Sequence, residues 1–166
     1  MSDSNPIKRH KALVSFSKDH HFGLLLSWKI RQGIDKGVSA ERISNYVLYF
    51  FENELQKHFN EEEKMLFALL PSHDALRKKA EAQHQSIYQL VKTIKANKDQ
   101  QPVLKQLADV LEEHLRFEER ELFNHIQQKV PPAELEKVSS RVPNDSRKIE
   151  DSWTDVFWSL ENSPGS

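Results

Sequence analysis

The sequence predicts an all-α protein: an antiparallel up-down-up-down four-helix bundle followed by a short C-terminal helix and tail. Three observations carry that prediction. Only 4 glycines and 7 prolines interrupt 166 residues, of which 30% are charged, a composition suited to long amphipathic helices. Apolar residues recur at helical spacing through four long segments. The breaks between those segments are short and carry the prolines and glycines, and short connections favour antiparallel neighbours.

The first helix is expected over about 15–34, stopped around Gly33 and Gly37. The second opens at Ser39, a good N-cap, and runs to residue 70 before Pro71. Its apolar face is Ile43, Val47, Phe51, Leu55, Met65, Leu66 and Leu69. The third spans about 72–96 with Leu76, Ile87, Val91 and Ile94 on its stripe. The fourth opens near Pro102, a residue suited to a first helical turn, and carries Leu104, Leu107, Leu111, Leu115 and Leu122 to about residue 129. The bundle is thus expected over residues 1–130. In the C-terminal part, residues 131–166, "AELEKVSSRV" suits a short fifth helix and residues 143–152 a linker. "SWTDVFWSL" sets Trp153, Phe157 and Leu160 at helical spacing, either to dock on the bundle or to anchor a protein partner.

The chemistry left open is narrow. No cysteine is present, which excludes disulfides, thiolate metal sites and cysteine nucleophiles. Net charge is −1, with no basic run or aromatic-interleaved patch, so nucleic acid is not expected as a partner. No stretch approaches the ~20 apolar residues that span a bilayer, and the N-terminal segment lacks a signal-peptide run, so no membrane association and a cytoplasmic location are expected. The metalloprotease pattern H-E-x-x-H, a P-loop and a Rossmann glycine pattern are all absent. Eight histidines are the compositional oddity.

Some of those histidines violate the hydrophobic pattern. Walking the second helix's stripe from Leu55 lands on His58 and Glu62 before Met65 and Leu66. On the fourth helix the same walk from Leu107 and Leu111 reaches His114 and Glu118 before Leu122. The segments HFNEEEKMLF (58–67) and HLRFEERELF (114–123) share H-x3-E-E-x2-L-F. Four matches beyond the histidine would coincide at roughly one in ten thousand or less if each residue type is used at about 5–10%, so this is an internal repeat.

Residues four apart share a helix face, so each His-Glu pair can serve one centre. A buried ionised carboxylate needs compensating charge. For one pair a protonated histidine would suffice; two facing pairs in a bundle interior point to a metal site. His84 lies on the third helix's stripe. On the first helix His20 and His21 are both placed near the stripe, and periodicity does not separate them. The resulting nitrogen and oxygen donors suit iron, manganese or zinc. Glu61 and Glu63 are expected to face solvent or a neighbouring helix, because each helical step turns a side chain by ~100°. His10, His73 and His125 read as surface or capping residues.

With these pieces in place, "SKDHHFGLL", "HFNEEEKMLF", "EAQHQSIYQLV" and "HLRFEERELF", the chain resembles the hemerythrin-like, HHE cation-binding family over roughly residues 13–128. The resemblance implies a non-haem di-iron centre, two iron ions joined by two carboxylates and an oxo or hydroxo bridge. It implies His20, His58, Glu62, His84, His114 and Glu118 as metal ligands, with Glu62 and Glu118 bridging. Two departures stand out. Oxygen carriers of the family have a further histidine where this chain has Ala80, and an aspartate at the register of Glu119. The expected function is therefore binding or sensing of a small oxidant, oxygen, peroxide or nitric oxide, rather than reversible oxygen carriage. Tyr88 or a spare glutamate is a candidate to fill the place left by Ala80. The alternative is a regulatory or metal-buffering bundle, iron or zinc, acting through a protein partner contacted by the tail.

Overall fold

The computed structural model describes residues 8–141 and 153–159. All of its regular elements are helices: α1 (Lys11–Asp35), α2 (40–69), α3 (Ala75–Ala96), α4 (101–129) and the short α5 (Pro132–Arg141). The first four close a ring in which α1 packs on α4, α4 on α3, α3 on α2 and α2 on α1. Connections 36–39, 70–74 and 97–100 join them, short enough to keep consecutive helices antiparallel.

Helix ends follow local chemistry. α1 starts earlier than expected because His10 caps it: its Nδ1 accepts the Ala12 N–H at 3.0 Å, and Ala12, Leu13 and Phe16 extend the buried stripe. It ends in a Schellman motif, with Val38 N–H donating to Gly33 O and Gly37 N–H to Ile34 O. Gly37 sits at φ 74°, a conformation that costs a residue with a Cβ. Ser39 Oγ caps α2, as expected, by accepting the Arg42 N–H. α3 begins at Ala75 rather than at 72, because Asp74 Oδ1 accepts from the N–H groups of both Leu76 and Arg77. His125, half-buried, holds the other oxygen of that cap at 2.7 Å.

The spacing did not foretell that α2 and α4 are not uniform. α2 widens into π turns at Phe51–Leu55 and Glu62–Leu66 and tightens to a 3-10 turn at Phe67–Leu69; α4 has one π turn at Glu118–Leu122. Two of these three wide turns begin at Glu62 and Glu118. Such turns inside α-helices mark places where a side chain is re-aimed, often at functional sites.

Two apolar cores fill the bundle. One gathers Leu26, Ile30, Ile43, Val47, Phe50, Leu55, Ile87, Val91, Leu104, Leu107 and Leu111. The other gathers Leu13, Phe16, Leu66, Phe67, Ala80, Leu122, Phe123 and Ile126, with Leu135 and Val138 of α5. Between them on each of the first four helices lies the layer that holds the candidate site. On the first core the tail docks. Phe157 is fully buried there, Trp153 packs on Tyr46 and Tyr49, and Arg42 grips Asp155 through two bonds of 3.1 and 2.6 Å. Lys29, itself buried, donates to Tyr46 Oη and lies 4.0 Å from the Trp158 ring centre. Leu160 and the linker segment 143–152 lie outside the described residues. No helix among the described residues is long and apolar enough to cross a membrane.

Candidate metal centre

The polar layer is built by helical spacing. On α2 and α4, the four-residue step sets His58 above Glu62 and His114 above Glu118, so each pair points into the bundle. α1 contributes His20, and α3 contributes His84 from the opposite side. Between 0 and 5% of each of the six residues is exposed, in a protein whose other buried side chains are mostly apolar. His21 is exposed, which separates it from its neighbour.

The two carboxylates stand between two sets of histidines. Glu62 Oε2 lies 3.0 Å from His58 Nε2 and 3.3 Å from His20 Nε2, while its Oε1 lies 3.1 Å from His84 Nε2. Glu118 mirrors it: Oε1 is 2.8 Å from His20 Nε2, and Oε2 is 3.3 Å from His114 Nε2. Donor atoms fall into two groups, His20–His58–Glu62–Glu118 and Glu62–His84–His114–Glu118, each mutually within 4.8 Å. Both glutamates belong to both groups. A pair of cations sharing two carboxylates needs this arrangement.

Electrostatics point the same way. Burial opposes charging the rings, yet Glu118, Glu119 and Glu62 raise the His20 pKa well above its ordinary value. Burial is likewise outweighed at His58, by Glu62 and Asp19, and at His84, by Glu62 and Glu63; both are pushed up to about 9. Glu62, although buried, is held well below the usual carboxylate range by His58, His20 and His84. Protons thus supply part of the charge that the carboxylates demand, and a cation would supply it by displacing them. The donors also leave valences open. His58 Nε2, His114 Nε2 and both oxygens of Glu118 are buried and meet one another and their neighbours at ion-pair distance but not in hydrogen-bond geometry, an arrangement that costs stability unless a cation takes those lone pairs. The residues therefore fit a metal pair.

Behind each ring stands a second polar group. Glu119 Oε2 is 2.6 Å from His20 Nδ1, Asp19 Oδ2 3.1 Å from His58 Nδ1, Glu63 Oε2 2.6 Å from His84 Nδ1, and Gln83 Oε1 2.6 Å from His114 Nδ1. Such partners hold a ligating histidine in the tautomer that frees Nε2. Sequence reasoning did not give Asp19, Glu63 and Gln83 this part, and it placed Glu119 only at the register of the oxygen carriers' aspartate. Glu119 instead lies outside both donor groups, turned to the back of His20. The available signal was adjacency, since every one of the four directly precedes or follows a candidate ligand. Aromatic rings complete the layer: Phe123 stacks on His20, while Phe59 and Phe67 sandwich His84. At the departure from the oxygen carriers, Ala80 is fully buried in the second apolar core. The spare glutamate Glu63 is engaged with His84, and Tyr88 packs edge-on against Phe51 and Phe59.

The family described as the hemerythrin HHE cation binding domain matches residues 13–126, nearly all of the four-helix ring and every residue of the two donor groups. No curated protein and no solved structure matches the chain.

Proposed function

Because the chain belongs to the hemerythrin HHE cation-binding domain family, we propose that it is a non-haem di-iron protein that binds or senses a small oxidant: oxygen, peroxide or nitric oxide. The observation that carries the reading is the pair of four-donor groups sharing Glu62 and Glu118. In this reading His20 and His58 would hold one iron and His84 and His114 the other, with both carboxylates available to the two of them. When bound, the pair with its oxo or hydroxo bridge supplies redox-active positions for a diatomic or peroxide ligand.

The chain's own residues prepare that chemistry. Glu119, Asp19 and Glu63 accept the Nδ1 protons and orient the rings. Leu66, Phe67, Leu122 and Phe123, all fully buried, wall the layer on one side and exclude bulk water. Alanine at position 80 offers no donor, which supports an exchangeable position on both metals and argues against dedicated reversible oxygen carriage.

Metal analysis with an absorption spectrum of aerobically purified protein tests the proposal. The expected result is two iron ions per chain, one for each donor group, with near-ultraviolet bands of a solvent-bridged pair that respond to peroxide or nitric oxide. Two zinc ions, which the same donor types accept, would instead make the protein a metal buffer. One metal or none would end the two-metal reading.

A further inference from the structure

A ring that ligates through Nε2 keeps its proton on Nδ1, and the acceptor behind Nδ1 sets how basic the ligand is. His20, His58 and His84 meet carboxylates there, Glu119, Asp19 and Glu63. His114 meets the neutral amide oxygen of Gln83 at 2.6 Å. The internal repeat otherwise interchanges the two halves of the site. Glu63 serves α3 as Glu119 serves α1, and the residue before each lone histidine reaches back to the histidine of the neighbouring pair. Asp19 precedes His20, and Gln83 precedes His84, so the pattern breaks at one residue.

Resting on the two-metal reading above, we propose that Gln83 makes the two positions inequivalent: a divalent cation fills the His20–His58 position first and the His84–His114 position second. Gln83 acts as a positioning residue. Its oxygen must face His114, because a ring using Nε2 for the metal has only the Nδ1–H to donate. That neutral bond is roughly half as strong as a charge-assisted one, and changes in such backing partners shift metal affinity by about 10–100-fold. Arg9, whose guanidinium lies 3.4 Å from Glu119 Oε1, offsets part of that carboxylate's charge. The inequality therefore lies in the acceptor each Nδ1 meets rather than in net charge around each half. At limiting metal the chain then holds one ion beside His58, and on chelation the ion beside His114 leaves first.

Zn(II) titrated into the 166-residue chain against a competing chelator, with histidine ring proton–nitrogen spectra at each step, tests the order. The His20 and His58 signals are expected to move with the first equivalent and those of His84 and His114 with the second, the two constants differing by about 10–100-fold. Gln83→Glu should close the gap by tightening the second step, and Asp19→Asn by weakening the first, with helicity unchanged. Coincident steps in the native chain, or His84 and His114 responding first, overturn the order. So does an unchanged gap in folded Gln83→Glu; should that variant not fold, an unchanged gap in Asp19→Asn overturns it instead. Two ions bound at once sink the order alone, whereas fewer than two sink the two-metal reading with it.

Discussion

At the scale of single residues, each shared position of the repeat H-x3-E-E-x2-L-F has its own physical task. The histidine and first glutamate point inward, the second glutamate reaches the back of a histidine on the next helix, the leucine fills the second core, and the phenylalanine stacks on that same histidine. Removing the inward charge therefore separates metal binding from folding. Glu118→Gln is expected to lose most bound metal while keeping helicity, and to leave stability of the metal-free chain unchanged or raised, because a buried carboxylate that histidine protons compensate only in part is gone. Metal analysis beside thermal melts by circular dichroism checks this; full occupancy would reject the bridging role. The same charges set a pH dependence. His58 and His84 titrate at about 9 in the folded chain against about 6.5 when unfolded. Their contribution to the metal-free fold is complete below about 6.5 and fades as pH rises through about 9. Glu62, shifted down, contributes above its ordinary carboxylate value of about 4.5 and loses that contribution as pH falls through its lowered folded value. The melting temperature of the metal-free chain should accordingly fall from pH 6.5 to 9, whereas metal affinity rises over that window as ligand protons are displaced. A metal-free melting temperature that climbs across the window would contradict the protonated network.

At the scale of elements, close approach decides what the helices tolerate. A Cβ at Gly33 would stand 2.8 Å from Ile43 Cδ1 and 2.9 Å from Phe157 Cε1, so α1, α2 and the tail meet where only a hydrogen fits. Overpacking of this kind costs about 1–3 kcal/mol, against a gain of up to about 1 kcal/mol in helix propensity. Gly33→Ala is predicted to destabilise by up to about 2 kcal/mol and to loosen the tail, read as a change in tryptophan fluorescence. Unaltered fluorescence with unaltered stability would mean that the contact is softer than the packing indicates. The π turns belong to this scale as well. Where Glu62–Leu66 and Glu118–Leu122 widen the helix, two adjacent glutamates reach the two nitrogens of one histidine, Glu62 and Glu63 at His84, Glu118 and Glu119 at His20.

For the molecule as a whole, two apolar cores clamp a polar layer, and the tail seals the core that holds Ile43, Val47 and Leu107. We propose that residues 1–130 form the metal-binding unit and that residues 131–166 stabilise it from outside. Phe157→Ala should lower stability by about 3 kcal/mol, at the low end for a buried phenylalanine because the segment can detach. Metal stoichiometry should stay unchanged, as measured by metal analysis of the purified variant. Loss of metal in a folded Phe157→Ala protein would show that the tail supports the site. The aromatic residues that the sequence also offered as a partner anchor, Trp153 and Phe157, are instead packed on Tyr46, Tyr49 and Gly33.

By itself the sequence determined the four helices, their buried faces and the convergence of His58, Glu62, His114 and Glu118, because a fixed helical period converts spacing directly into a shared face. The same period could not choose between His20 and His21, whose directions both border the stripe; burial against Phe123 chose His20. Nor could it assign Glu63, Glu119, Asp19 and Gln83 to their rings, since each contact crosses between helices and depends on how closely and at what rotation they pack. The π turns were likewise hidden, because a wider turn follows from tertiary packing and leaves no mark in apolar spacing. Local periodicity thus specified which donors face inward, and only the packed bundle decided which donor meets which.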